Sequence, residues 1–197
     1  MNHPLIILKT MNKILLTIAA AVAICFSACA QKTNKNEMKT HHTLVAYFSA
    51  TGTTAKAAQS IANATNGTLY EIAPQTPYTS ADLNWNDKQS RSSVEMGDKN
   101  ARPALKEAKA DLTAYDVVFI GYPIWWDEAP RIVNTFIENN DLKGKTLIPF
   151  ATSGGSGIAN SVKALRQTYP DLNWKEGRLL NRASDKTIRE WLNANGL

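Results

Sequence analysis

The sequence predicts a doubly wound α/β fold on a parallel sheet. Three observations lead there: short continuous apolar runs recur along residues 43–197, helical patterns separate them, and several runs end in Ser/Thr/Gly-rich or aromatic loops. Apolar runs without polar alternation are typical of parallel strands covered on both faces.

Residues 43–48 (TLVAYF) form the first such run and stop at a Ser/Thr/Gly cluster. Residues 54–64 follow, with Ala57, Ala58, Ile61 and Ala62 at helical spacing. A second strand is expected at 68–73, a third at 117–120 (VVFI) ended by Gly121, and a fourth at 146–150 (TLIPF). Helical patterns cover 130–139, 158–168 and 184–195. A fifth strand at 174–180 is weakened by Gly177. Residues 74–111 are too long for a simple connection, and 80–94 are assigned to a helix although Asn84, Trp85 and Asn86 suit one badly, with 98–103 as loop.

Ahead of this domain, Lys13 precedes the apolar run Ile14 to Phe26, and Ser27, Ala28, Cys29 and Ala30 follow. The pattern reads as a secretory signal over residues 1–28, too short for the ~18–20 apolar residues of a comfortable membrane span. Phe26-Ser27-Ala28-Cys29 resembles a bacterial lipobox, with Phe26 where Leu is usual, so Cys29 is expected to carry a lipid. Cleavage after Ala28-Cys29-Ala30 is the competing reading and leaves a soluble periplasmic protein. The lipoprotein reading gives the polar residues 29–42 a purpose, as a tether between anchor and domain. The expected location is the periplasm or cell envelope, with membrane contact only through Cys29.

Cys25 and Cys29 are the two cysteines, and His3, His41 and His42 the three histidines. From Thr43 onward there is neither, which removes thiol nucleophiles, histidine bases and nearly every transition-metal site from the domain. Any chemistry there falls to a cofactor. The formal charge of +5 drops to +3 once Lys9 and Lys13 are cut away, leaving 20 basic and 17 acidic residues with no basic run. Nucleic-acid binding is therefore not expected.

In an open parallel sheet, ligands sit beyond the carboxyl ends of the strands, where strand order reverses. The loop Ser49-Ala50-Thr51-Gly52-Thr53-Thr54 offers hydroxyls and helix N-terminal N–H groups to a phosphate, with no Walker lysine and no G-x-G-x-x-G. Helix capping would use the same residue types. The loop Gly121-Tyr122-Pro123-Ile124-Trp125-Trp126-Asp127 supplies aromatic walls for a flat ligand. Neighbouring side chains on an extended segment point opposite ways, so one tryptophan is expected to face the ligand: Trp125, nearer the strand end. A core or interface role would also suit the pair. The loop Ala151-Thr152-Ser153-Gly154-Gly155-Ser156-Gly157 lets backbone approach a ring edge, as a plain flexible connection also would.

Together the three loops suit the phosphate, ring face and ring edge of one molecule. Ser49-Ala50-Thr51-Gly52-Thr53-Thr54 resembles the S/T-x-T-G-x-T phosphate loop of flavodoxins, and Tyr122-Pro123-Ile124-Trp125-Trp126 and Thr152-Ser153-Gly154-Gly155-Ser156-Gly157 resemble the ring-binding loops of a flavodoxin-like subfamily. The resemblance spans residues 43–197. It implies a five-stranded parallel sheet in the order 2-1-3-4-5 with FMN at the switch point, flavodoxin being an established case of that rule. It implies FMN contacts at Ser49, Ala50, Thr51, Gly52, Thr53, Thr54, Pro123, Ile124, Trp125, Trp126, Thr152, Ser153, Gly154 and Gly155. The implied function is redox transfer, either as a carrier to a protein partner or as an NAD(P)H-dependent reductase of a small acceptor such as a quinone. A non-redox binding module on the same fold is the rival from another class. The mild basic charge departs from the strongly acidic surface usual in flavodoxins, which places the docking partner outside the family pattern.

Overall fold

The computed structural model describes residues 41–197, so the expected signal segment, Cys29 and most of the tether lie outside the described residues. The elements are β1 Thr43–Tyr47, α1 Thr53–Thr65, β2 Thr68–Glu71, α2 Arg91–Gly97, β3 Val117–Pro123, α3 Arg131–Asn139, β4 Thr146–Thr152, α4 Ala159–Thr168, β5 Asn173–Trp174, β6 Arg178–Leu179 and α5 Asp185–Ala194. All sheet pairings are parallel, in the order β2-β1-β3-β4-β5, with β6 also on β4. The expected order is thus present.

Because side chains alternate across a strand, each strand feeds two cores. Leu44, Ala46, Val118, Ile120 and Tyr122 pack with Ile132, Val133 and Phe136 of α3 and Leu165 of α4. Val45, Val117, Phe119, Ile148 and Phe150 pack on the other face with Ala58 and Ile61 of α1 and Ile188, Trp191 and Leu192 of α5. Burying both faces explains why these strands read as continuous apolar runs.

Three expectations need correction. Gly121 does not end the third strand: β3 stays paired with β4 to Pro123, and the glycine is there for space, since a Cβ at Gly121 would overlap the Phe150 ring. The expected helix at 80–94 is turns as far as residue 89, with α2 starting only at Arg91. Local side-chain bonds win there: Asn84 Oδ1 accepts from Asn86 N, Asp87 Oδ1 accepts from Gln89 N, and Ser90 caps α2 by accepting from Ser93 N. The fifth strand is split in two.

The split has its cause on β4. The register shifts by one residue, from Leu147↔Trp174 to Phe150↔Arg178, so residues 175–177 carry a bulge. Leu147 O accepts from Lys175 N and Ala151 O from Leu180 N, which places Pro149 between them on the same edge of β4. Proline has no N–H to offer that edge. Gly177 fills the gap, where a Cβ would lie 3.1 Å from Pro149 O and 2.9 Å from side-chain atoms of Ile158 and Val162.

Candidate functional site

The parallel register brings the carboxyl ends of β1, β3 and β4 together, pairing Tyr47 with Gly121 and Pro123 with Thr152. All three candidate loops open from this end of the sheet. Phe48 N donates to Gly121 O at 2.9 Å, and Ile124 N donates to Thr152 O at 2.8 Å.

In the first loop, Gly52 precedes α1 with φ 84, a left-handed conformation that glycine adopts without strain. No side chain caps α1, and its first turn holds no acidic residue. The helix-capping alternative for these hydroxyls therefore fails. Thr54 Oγ1 bonds Thr152 Oγ1 at 2.8 Å, both residues being buried. Ser49 Oγ is buried and has no hydrogen-bond partner in the structure. An unpaired buried hydroxyl costs roughly 1–3 kcal/mol, so its persistence here points to a ligand group that completes it.

The second loop is not extended beyond Trp125. Trp125 and Glu128 exchange both backbone hydrogen bonds, at 3.0 and 2.9 Å, around Trp126 with φ 46 and Asp127 with φ 62. Two left-handed central residues make a type I′ turn, usually built from Asn and Gly. A bulky tryptophan in that region is strained, at about 1–3 kcal/mol. The turn is held from outside. Asp127 accepts from the Ser156 hydroxyl and from Asn160 Nδ2, which keep its carboxyl below the usual carboxylate range. Glu128 pairs with Arg131 at 2.6 Å, and the buried Arg131 guanidinium also donates to Met96 O at the end of α2 and to Asp98 O just beyond it.

The two tryptophans have different surroundings. Trp125 is wedged edge-on against Phe48 and Tyr78, with ring centroids 5.6 and 5.4 Å away. Tyr78 is itself fixed: the Arg91 guanidinium lies 3.9 Å from its ring centroid, and its hydroxyl donates to Glu95. Burial, aided by the Glu95 carboxylate, pushes that hydroxyl well above the usual phenol range. Trp126, at the turn tip, is half exposed.

In the third loop, Thr152 closes β4, and Ser153 Oγ accepts from Gly155 N and Ser156 N, folding the glycines back. Asn181 grips Ser153 by both its N–H and its carbonyl, each at 2.7 Å. This loop is pinned, which a plain flexible connection would not be.

These elements enclose a cleft of about 400 Å³, a size typical of small-molecule sites. Of the sequence candidates, Ala50, Thr51, Thr54, Pro123, Ile124, Trp125, Trp126 and Thr152 line it, whereas Gly52, Thr53, Ser153, Gly154 and Gly155 do not. Ser49 does not line it either; its hydroxyl is buried in the loop that begins beside it. Leu83, Trp85 and Ser92 also line the cleft and were missed by sequence reasoning; the available signal was a tryptophan inside an overlong polar connection. No charged residue lines it. Among the described residues, no group of His, Cys, Asp or Glu could hold a metal ion, and no helix is long and apolar enough to cross a membrane.

Comparison with known proteins agrees with this geometry. A solved flavoprotein structure from Bacteroides eggerthii is 66% identical, with a TM-score of 0.78, over 80% of this chain and 99% of its own. A second from Bacteroides uniformis is 59% identical, with a TM-score of 0.76, over 78% and 98%. A Lactobacillus acidophilus flavoprotein solved with FMN shares the fold at 21% identity and a TM-score of 0.59, over 77% and 99%. No curated protein matches the chain. The flavodoxin family model matches residues 42–195, nearly the whole of the described domain, and the chain belongs to that family.

Proposed function

We propose that this chain binds one FMN non-covalently and works as a redox protein outside the cytoplasm, passing electrons to a protein partner or to a small acceptor such as a quinone. The observation that carries the cofactor is Ser49 Oγ, buried and unpaired at the start of a loop whose hydroxyls and helix N-terminal N–H groups suit a phosphate. The uncharged cleft beside it suits the ring system. Family membership and the flavoprotein relatives support the same reading. Bound FMN would supply the electron transfer.

The chain's own residues bind and orient. Ser49, Thr51, Thr53 and the first N–H groups of α1 would hold the phosphate, with Thr54 fastening that loop to β4. Trp125, already fixed by Phe48 and Tyr78, would give a preorganised ring wall, so little ordering is left for binding. Trp126 and Trp85 would close the mouth against water, and Thr152, where the pinned third loop leaves β4, would meet the ring edge.

Purification of the native protein tests the cofactor: a flavin visible spectrum, with FMN identified by chromatography of the released chromophore, is expected. A colourless protein that stays colourless on adding FMN would contradict it. The export half rests on Lys13, the apolar run after it and Cys29. Mass spectrometry of the mature N-terminus should find a lipidated Cys29, and a chain starting at Gln31 would replace the anchor with a soluble periplasmic form.

A further inference from the structure

Among the described residues, the large apolar side chains that stay exposed are Trp85 at 72%, Val94 at 57% and Trp126 at 50%. Scattered single residues of this kind are ordinary, but these are grouped. Trp85 and Trp126 line the cleft described above and also a second cleft of about 440 Å³. Its far wall includes Met96 and Gly97 of α2, the helix that carries Val94.

The fold spends stability to present this surface. Trp126 sits in the strained left-handed turn, and Arg131, itself 6% exposed, binds that turn to α2 through Glu128, Met96 O and Asp98 O. One buried guanidinium therefore ties the Trp126 side of the second cleft to its Met96 side. A tryptophan kept only for packing would need neither the strain nor the exposure.

The chemistry of the walls narrows the occupant. Two indoles and the Met96 thioether favour a flat aromatic ring. Lys88 and Asn86 supply a cation and an amide donor, and no carboxylate lines the cleft. We propose that this second cleft binds a planar aromatic molecule carrying an anionic oxygen group, next to the FMN cleft and sharing Trp85 and Trp126 with it. The proposal rests on the FMN reading for its meaning, as the place where a small redox acceptor would lie.

The test uses anthraquinone-2-sulfonate as probe, titrated calorimetrically into the full folded domain with its tether, after FMN binding has been measured alone. Two variants separate the clefts. Gly97→Leu fills the second cleft, because a Cβ at Gly97 meets nothing within 4 Å and its φ is not in the positive region, while Gly97 does not line the first. Lys88→Glu reverses the exposed cation on a turn. Expected is one probe per FMN-loaded chain with FMN retained, and a loss of affinity of about tenfold or more in each variant, while FMN affinity moves by less than about threefold. Release of FMN by the probe would make the second cleft part of the cofactor site and overturn the proposal. Absence of saturable binding, or binding indifferent to both variants, would overturn it as well. Failure to bind FMN in the first titration refutes the cofactor reading separately, since probe binding to the FMN-free chain is measured in its own arm.

Discussion

Thr54 on α1 and Thr152 at the end of β4 share a buried hydroxyl–hydroxyl hydrogen bond of 2.8 Å, which fastens the loop of Ser49 to Gly52 onto the sheet. Replacing either threonine by valine keeps the shape and strands the other hydroxyl. Thr54→Val and Thr152→Val should each cost about 1–3 kcal/mol in urea denaturation, and the double variant clearly less than their sum. Full additivity would mean the two hydroxyls are not coupled.

Trp126 has φ 46, where a side chain is penalised and glycine is not. Trp126→Gly should therefore be more stable than Trp126→Ala by about 1 kcal/mol, the reverse of the usual order in regular structure. Thermal unfolding of the pair checks this. A more stable alanine variant would show that the turn relaxes once the indole is gone.

Asp127 links the Trp126 turn to the third loop, and the Ser156 hydroxyl and then Asn160 hold its carboxyl below the ordinary 3.8. A depressed folded pKa means the unfolded chain takes up the proton first. The contribution is complete above the ordinary value and is lost as pH falls through the lower folded one. Asp127→Asn, which tolerates the left-handed turn, should lower stability at neutral pH by what the carboxylate contributes there and flatten the acid limb of the stability curve below about pH 5. An unchanged acid limb would remove the carboxylate from the account.

The fixed position of Trp125 against Phe48 and Tyr78 predicts that Trp125→Ala weakens FMN binding by about 1–3 kcal/mol and more than Trp126→Ala does. Flavin fluorescence titration separates them. The reverse order would make the exposed tryptophan the principal ring contact.

The sheet was legible because strands buried on both faces leave uninterrupted runs such as VVFI at 117–120. The hydroxyl-rich first loop stood out because its hydroxyls and Gly52 are contiguous in sequence. What stayed hidden depends on partners far along the chain. Gly121 reads as a strand end until the Phe150 ring is seen above it, and the bulge at 175–177 needs Pro149 of the neighbouring strand. The turn at Trp126-Asp127 lacks the Asn-Gly signature of its type, since Asn160, Ser156 and Arg131 impose it from outside. Residues 80–89 misled because local Asn and Asp side-chain bonds outcompeted a helix.

Ser49 holds a buried hydroxyl with no partner within the protein, the feature that most directly marks the phosphate position proposed above. Its most direct test is the ratio of riboflavin to FMN dissociation constants, measured by fluorescence titration for the wild-type domain and for Ser49→Ala. The two ligands differ only by the phosphate, so the wild-type ratio should exceed about tenfold, given roughly 1.5–3 kcal/mol for each hydrogen bond to a charged group. Ser49→Ala should shrink that ratio while leaving the flavin-free domain as stable as wild type or more so. Equal affinities for FMN and riboflavin in the wild type, or a ratio untouched by Ser49→Ala, would contradict the assignment of this loop to the phosphate.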